Sequence, residues 1–281
     1  MSHREIEKSY FLLNDHLHAV EEFDPHQATR YPSVYEVIRV IDGVPLFWEA
    51  HLDRMQQSLA LAGASFQLNQ ENLRRQMDLL IRKNQVLNHN LKVVVNHWDN
   101  TLSPDTYLFF ITTRYPSDKD LHQGVSVILH PAERKNPNAK IISTSFRAPI
   151  LKAMESTGAY EALLVNQADE VTEGSRSNFF VIKQNVFYTP PAAQVLQGIT
   201  RQVVMQLVHR LGYQIQETTI TRTFLLESES LFLTGTSPGV LPIQKVNGHS
   251  FSVTLEPLQN LQGLYHHFVQ TYVDIHRSSA D

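Results

Sequence analysis

Lys140 stands apart from the other lysines of this chain. Lys119, Lys135 and Lys183 sit in polar turns, whereas Lys140 follows an Asn-Pro-Asn loop and opens KIISTS, a strand-like segment that should turn inward. A lysine at the inner end of a strand can lose its hydration, which makes its amine a usable nucleophile. On spacing alone, an exposed lysine at a strand start accounts for it better. Glu173, in VTEGSRSNFF, raises a second question. It is a carboxylate beside a glycine and a short polar stretch, at the mouth of what reads as a buried hairpin. Such a residue is either a solvated turn residue or there to hold something positively charged.

Two further stretches are built from parts that suit an anion. In LQGITRQVV, Gly198, Ile199 and Thr200 precede a strongly amphipathic helix, whose start presents unpaired N–H groups and the positive end of the dipole. In LFLTGTSPGV, a strand runs into Gly235-Thr236-Ser237-Pro238, a turn of small residues and hydroxyls that can aim amides inward. Taken singly, ordinary capping is the better reading of each. Arg54 lies beside the apolar face of its helix and alone reads as a solvated surface residue. Tyr35, at the entry to a strand, alone reads as core packing with a satisfied hydroxyl.

The elements that must position these residues alternate along the chain. VYEVIRVI reads as a strand turning at Asp42-Gly43 into VPLFW. In HLDRMQQSLALAG, Leu52, Met55, Leu59 and Ala62 share a helical face that Gly63 stops. Asn69 caps a second helix carrying Leu73, Met77 and Leu80, and the strands LKVVV and YLFFITT follow. The polar stretch RYPSDKDLHQG then reads as a linker. Beyond it come VSVILH, a helix around 147–157, ALLV, the hairpin FFVIKQNVFYTP and a helix ending at Gly212. Strands YQIQE, LFLTG and VLPIQKV surround a short helical stretch near 223–228, and Asn247-Gly248 marks a tight turn. A last helix carries Leu258, Leu261, Tyr265, Phe268, Tyr272 and Ile275 on one stripe. This is a mixed α/β pattern rich in hairpins, not a doubly wound sheet. It divides into 1–114, a linker at 115–123, and 124–281.

At 281 residues the chain is long enough for a large core. A net charge of −4 without a basic run argues against nucleic acid as a partner. The 14 histidines are scattered and show no metal-ligand spacing, so no metal is expected. With no cysteine, disulfides, thiolate metal sites and cysteine nucleophiles are excluded together. The charged N-terminus is unlike a signal peptide, and no apolar run approaches the ~20 residues that span a bilayer, so a cytoplasmic protein without membrane contact is expected.

In combination the stretches carry more than they do singly. YEVIRVIDGVPLFWEAHLDRM, Lys140, GAYEALLVNQADEVTEGSRSNFFVI, YTPP with VLQGITRQ, and LFLTGTSPGVLPI occur in the order and approximate spacing of one family. From about residue 31 to 248 the chain resembles the fold-type IV, or class IV, pyridoxal-phosphate enzymes. These are the branched-chain and D-amino-acid aminotransferases and the aminodeoxychorismate lyases. The resemblance implies two α/β domains with pyridoxal 5′-phosphate in the cleft between them, and a homodimer. It makes Lys140 the Schiff-base lysine and the base that moves the substrate's α-proton. It makes Glu173 the partner of the cofactor's ring nitrogen, and gives the phosphate to Arg54, Ile199, Thr200 and Thr236. Tyr35, Lys92 and Ser237 become substrate-pocket residues.

The chain also departs from each subfamily. RYPSVYE replaces the glycine-and-acid turn that often precedes the first strand, and Ser145 stands where branched-chain enzymes carry a tyrosine. KVVVNHW lacks the arginine and histidine by which D-amino-acid enzymes hold the substrate carboxylate. Lys92 is the residue that would take that part, by analogy with the branched-chain arginine. Glu36 follows Tyr35 where lyases place a threonine. The leading expectation is an aminotransferase that moves an amino group between a small or branched amino acid, L or D, and a 2-oxo acid by a ping-pong mechanism. One alternative is a 4-amino-4-deoxychorismate lyase making 4-aminobenzoate and pyruvate. The other is a non-catalytic relic that binds a phosphate ligand.

Overall fold

The computed structural model describes residues 6–30, 32–96 and 104–278. The chain forms two compact units. The first comprises the chain to Arg114, Ala139–Ile142 and the chain from Val269; the second comprises Tyr115–Asn138 and Ser143–Phe268.

The first unit is built on strands β1 (Ile6–Leu13) and β2 (His16–Ala19), a short helix α1 (Pro25–Ala28), β3 (Ser33–Ile41) and β4 (Val44–Pro45). Helices α2 (Trp48–Leu61) and α3 (Gln70–Lys83) follow, then β5 (His89–Asn96) and β6 (Asp105–Ile111). The strands form one antiparallel sheet in the order β2-β1-β6-β5-β3-β4. Asp42 and Gly43 both adopt positive φ, at 49° and 80°, as the two-residue β3–β4 hairpin requires. Helix α2 starts earlier than its apolar stripe implies, because Phe47 takes a left-handed conformation that redirects the chain at Trp48. Its face of Leu52, Met55 and Leu59 is buried together with Leu73, Met77 and Leu80 of α3. Asn69 caps α3 by accepting from the Asn72 N–H at 3.0 Å. Both helices cover the sheet face that presents Val34, Ile38, Leu91, Val93, Leu108 and Phe110. The opposite face packs Val94, Tyr107 and Phe109 against Ile6 and Phe11. Side chains alternate along a strand, so Tyr35 and Glu36 of β3 project to opposite faces of this sheet.

The second unit contains α4 (Asp118–Gln123), β7 (Val125–Pro131), α5 (Thr144–Thr157), β8 (Glu161–Val165) and β9 (Val171–Gly174). It continues with β10 (Asn178–Lys183), β11 (Val186–Thr189), α6 (Ile199–Arg210), β12 (Gln214–Glu217) and α7 (Arg222–Leu226). Strands β13 (Ser230–Gly235), β14 (Gly239–Val246) and β15 (His249–Ser250) precede the last helix, α8 (Glu256–Ser278), which belongs to this unit as far as Phe268. The nine-stranded sheet runs β12-β11-β10-β13-β14-β7-β8-β9, with β15 beside β14. It is mixed: β7 is parallel to β8 and β14, and the other central pairs are antiparallel. Phe179, Val181, Leu231, Leu233, Leu241 and Ile243 are fully buried on one face, each contributing roughly 1.5–3 kcal/mol of apolar burial.

The structure adds local detail. The polar stretch at 115–123, read as a linker, carries a short helix: Ser117 and Asp120 form a reciprocal capping box that starts α4. KIISTS is extended only briefly, since Ile141 makes a single bridge to Val34 and α5 begins at Thr144. At the end of α8, Ile275 is 58% exposed and Val273 takes the buried place, while Tyr272 donates its hydroxyl to Glu49 at 2.7 Å.

Candidate active site

In the first unit, Lys140 is fixed through its main chain. Its N–H donates to the Ser58 hydroxyl at 3.1 Å, and its carbonyl accepts from the Tyr35 N–H at 3.1 Å. The short pairing of Ile141 and Ile142 with Ser33 and Val34 therefore docks the lysine against the start of β3. Its ammonium lies 4.8 Å from the centre of the Tyr35 ring. The ammonium of buried Lys92 lies 5.3 Å from the same ring and 5.6 Å from that of Phe109. Tyr35, Lys92 and Lys140 thus converge on one aromatic surface. His97 and Trp98, at the end of the KVVVNHW stretch in which no carboxylate clamp was evident, lie outside the described residues.

Arg54 is not a solvated surface residue. It is buried, and its Nε and Nη2 donate to Glu36 at 2.7 and 2.6 Å, a forked pair that uses both carboxylate oxygens. His51, one turn earlier on α2, shares Glu36 through Nδ1 at 2.8 Å. Burial alone would raise the Glu36 pKa, but the Arg54 guanidinium and the His51 hydrogen bond hold it down at about 2. Burial pushes the His51 imidazole below its usual range, and the hydrogen bond to Glu36 opposes that only in part. The sequence marked Glu36 only as a departure from the lyase pattern. Its place on the α2 side of the sheet makes it the counter-charge of Arg54.

In the second unit, the end of the sheet where β9, β10, β13 and β14 turn collects the remaining candidates. Glu173 is buried on β9. One carboxylate oxygen accepts from Arg134 Nε at 2.6 Å, and the other accepts from the Leu196 N–H at 3.1 Å. Arg134 also donates from Nη2 to the Ser175 carbonyl at 2.6 Å, and its guanidinium stacks 4.9 Å over Phe146. The chain itself thus supplies a cation to Glu173. Glu161, the acid of GAYEA, is buried beneath the next turn. It accepts from the Ser175 hydroxyl at 2.5 Å, the Ser177 hydroxyl at 3.1 Å and the Ser175 N–H at 3.2 Å. A Cβ on Gly174 would collide with the Ser177 hydroxyl and stand 3.1 Å from its carbonyl oxygen, so only glycine fits this close turn.

Asn178 joins that turn to the start of α6. Its amide donates to the Leu196 carbonyl at 2.8 Å, and its oxygen occupies the space that a Cβ on Gly198 would need. Gly198 is the N-cap of α6 and, as a glycine, brings no side-chain cap to it. The first turn begins with Ile199 and the buried Thr200, whose amides belong to the N–H groups that a helix start leaves without intrahelical partners. Thr236 and Ser237 lie in the β13–β14 turn, which Gly235 and Gly239 close in register. This turn is adjacent to the first, since the Arg176 carbonyl is 3.7 Å from where a Cβ on Gly235 would stand. Sequence reasoning missed Arg134, Glu161 and Asn178. The acid in GAYEA and the asparagine in SNFF stood in quoted motifs, but nothing in the spacing pointed to Arg134.

Residues 33–246 match the family described as amino-transferase class IV. This chain belongs to the class IV aminotransferase family. The D-alanine aminotransferase of Bacillus licheniformis is 30% identical over 227 residues, 77% of this chain and 80% of that protein. The branched-chain amino acid aminotransferase of Escherichia coli superposes with a TM-score of 0.83 at 21% identity, covering 94% of this chain and 95% of that one. A Legionella pneumophila protein assigned as a 4-amino-4-deoxychorismate lyase superposes with a TM-score of 0.74 at 23% identity, over 84% of this chain and 91% of that one. This member of the class IV aminotransferase family is therefore an enzyme with the mixed α/β fold-type IV architecture. Among its described residues no helix is long and apolar enough to cross a membrane.

The residues present fit pyridoxal 5′-phosphate. A glycine-capped helix start beside a buried threonine suits a phosphate, a buried carboxylate suits a ring N–H, and the Lys140 amine suits an aldehyde.

Proposed function

We infer that this member of the class IV aminotransferase family uses pyridoxal 5′-phosphate to move an amino group from a small or branched amino acid to a 2-oxo acid. The observation that carries the reading is the glycine-capped start of α6, tied through Leu196 and Asn178 to the buried carboxylate of Glu173. The cofactor supplies an aldehyde that takes up the amino group and a ring that spreads the electron pair left at the substrate's Cα. Lys140 would hold it through Nζ and, once displaced, use the same Nζ to take the Cα proton and return it. Glu173 would accept the ring N–H. The amides of Ile199 and Thr200, the Thr236 hydroxyl and Arg54 would bind the phosphate, with Glu36 holding the Arg54 fork in place.

Tyr35 would form a wall of the substrate pocket. Lys92, whose ammonium shares the Tyr35 ring with that of Lys140, would supply positive charge toward the substrate carboxylate, and Ser237 would contact the substrate from the β13–β14 turn. Donor and acceptor use the same groups in turn, so the kinetics should be ping-pong. The deciding experiment presents branched and small amino acids, as both enantiomers, with and without 2-oxoglutarate or pyruvate. Transfer that needs the oxo acid and gives parallel double-reciprocal lines supports the reading. Turnover of aminodeoxychorismate without any oxo acid would replace it by the lyase.

A further inference from the structure

Glu173 is held from two directions by the chain itself. Arg134 grips one oxygen while its other nitrogen grips the carbonyl of Ser175, so a single guanidinium bridges the carboxylate to the turn that follows it. The Leu196 N–H holds the second oxygen. The two segments doing this are informative. Arg134 lies on the stretch that leads from β7 to Lys140, and Leu196 lies on the stretch that leads into the start of α6. The Phe146 ring stacked on Arg134 fixes the guanidinium plane from a third element, α5. A carboxylate pinned at both oxygens has lost its rotational freedom in advance, so a ligand that uses it incurs no ordering cost.

We propose that Arg134 is a positioning residue that sets how Glu173 meets the cofactor's ring nitrogen. This rests on the pyridoxal-phosphate reading above. Arg134 would act through Glu173 and Ser175 rather than on a reacting atom. Its effect is therefore specific to ligands that carry the ring nitrogen. A lysine at 134 keeps the charge on Glu173 but cannot also reach Ser175 in the same plane, so it should preserve part of the effect.

The test compares affinities of the full-length protein, stripped of bound cofactor, for pyridoxal 5′-phosphate and for its analogue with the ring nitrogen replaced by carbon. Wild type should prefer the natural cofactor by roughly tenfold or more, the value of a charge-assisted hydrogen bond. Arg134→Met should bring the two affinities close together mainly by weakening the natural cofactor, and Arg134→Lys should fall between. Glu173→Gln should abolish the preference regardless of residue 134. Equal weakening of both ligands in Arg134→Met and Arg134→Lys, with the preference intact, would make Arg134 a structural support only and overturn the proposal. A wild type that binds both equally would also overturn the proposal, because Glu173 would then gain nothing from the ring nitrogen, whereas a wild type that binds neither would overturn the cofactor reading on which it rests.

Discussion

Replacing Glu36 by glutamine should destabilise the enzyme by about 3–4 kcal/mol at neutral pH. The carboxylate is wholly buried and paired with Arg54 at 2.6 and 2.7 Å and with His51 at 2.8 Å. Removing it leaves a guanidinium in the interior without its counter-charge, a change that typically costs about 3–5 kcal/mol. The lowering of the Glu36 pKa from 4.5 to about 2 points the same way and to the same order, a few kcal/mol. That stability is complete above the unfolded value of 4.5 and is lost as pH falls through the folded value near 2. His51 acts earlier and with the same sign. Burial disfavours its charged form in the fold and lowers its pKa below 6.5, so its contribution begins to fall as pH drops below that unfolded value.

The assay is urea denaturation of wild type, Glu36→Gln and the Glu36→Leu/Arg54→Met double variant, from about pH 7 down to about pH 3. The single variant should lose about 3–4 kcal/mol at about pH 7, and its deficit relative to wild type should shrink as pH falls below about 5. The double variant, with both charges gone, should recover most of the loss. A single-variant loss below about 1 kcal/mol, or a deficit that does not change with pH, would refute the buried-pair reasoning.

Lys140→Ala should abolish borohydride trapping of pyridoxal phosphate and lower amino transfer by roughly 10²–10⁴-fold, read by mass spectrometry and by coupled assay. Gly174→Ala should cost roughly 1–3 kcal/mol, because the new methyl meets the Ser177 hydroxyl and carbonyl, and should weaken cofactor binding as the turn shifts; calorimetry and spectrophotometric titration check both. Ser117→Ala should remove the α4 cap at a cost of about 1 kcal/mol and speed amide exchange in Asp118–Gln123 while leaving transfer activity unchanged.

What the sequence made legible follows from where each signal is stored. Hairpins at Asp42-Gly43 and Asn247-Gly248, the cap at Asn69 and the apolar stripes of α2 and α3 are local, because turn chemistry and helical spacing act over a few residues. The α4 cap was equally local, and was hidden only because a polar stretch bounded by Pro116 and Gly124 resembles a linker. Partners across long sequence separations were not legible. Glu36 meets Arg54 across α2 and β3, and Arg134 meets Glu173 from a segment with no periodicity of its own. Arg54, judged by its helical position, reads as solvated; the carboxylate that buries it is visible only in three dimensions.

The ion pairs of Glu36 and Glu173, one fully buried and one partly buried, share a logic that bears on the question Glu173 posed. An ionised carboxylate inside a protein needs a cation, and a ligand's ring nitrogen was the candidate that the sequence offered. Here the chain meets the need itself, with Arg134 on Glu173 and Arg54 on Glu36. Each pair joins a group assigned by resemblance to the cofactor with one that the sequence left unassigned. The charges that the resemblance assigns to a ligand are thus neutralised and oriented by the protein's own groups. Such a site gives up some electrostatic gain on binding, because each charge already has a partner, and in return loses little entropy when the ligand arrives. Variants that remove the unassigned member of a pair should therefore affect ligand-free stability and cofactor affinity together, whereas Lys140→Ala, which leaves both of these pairs intact, should separate them.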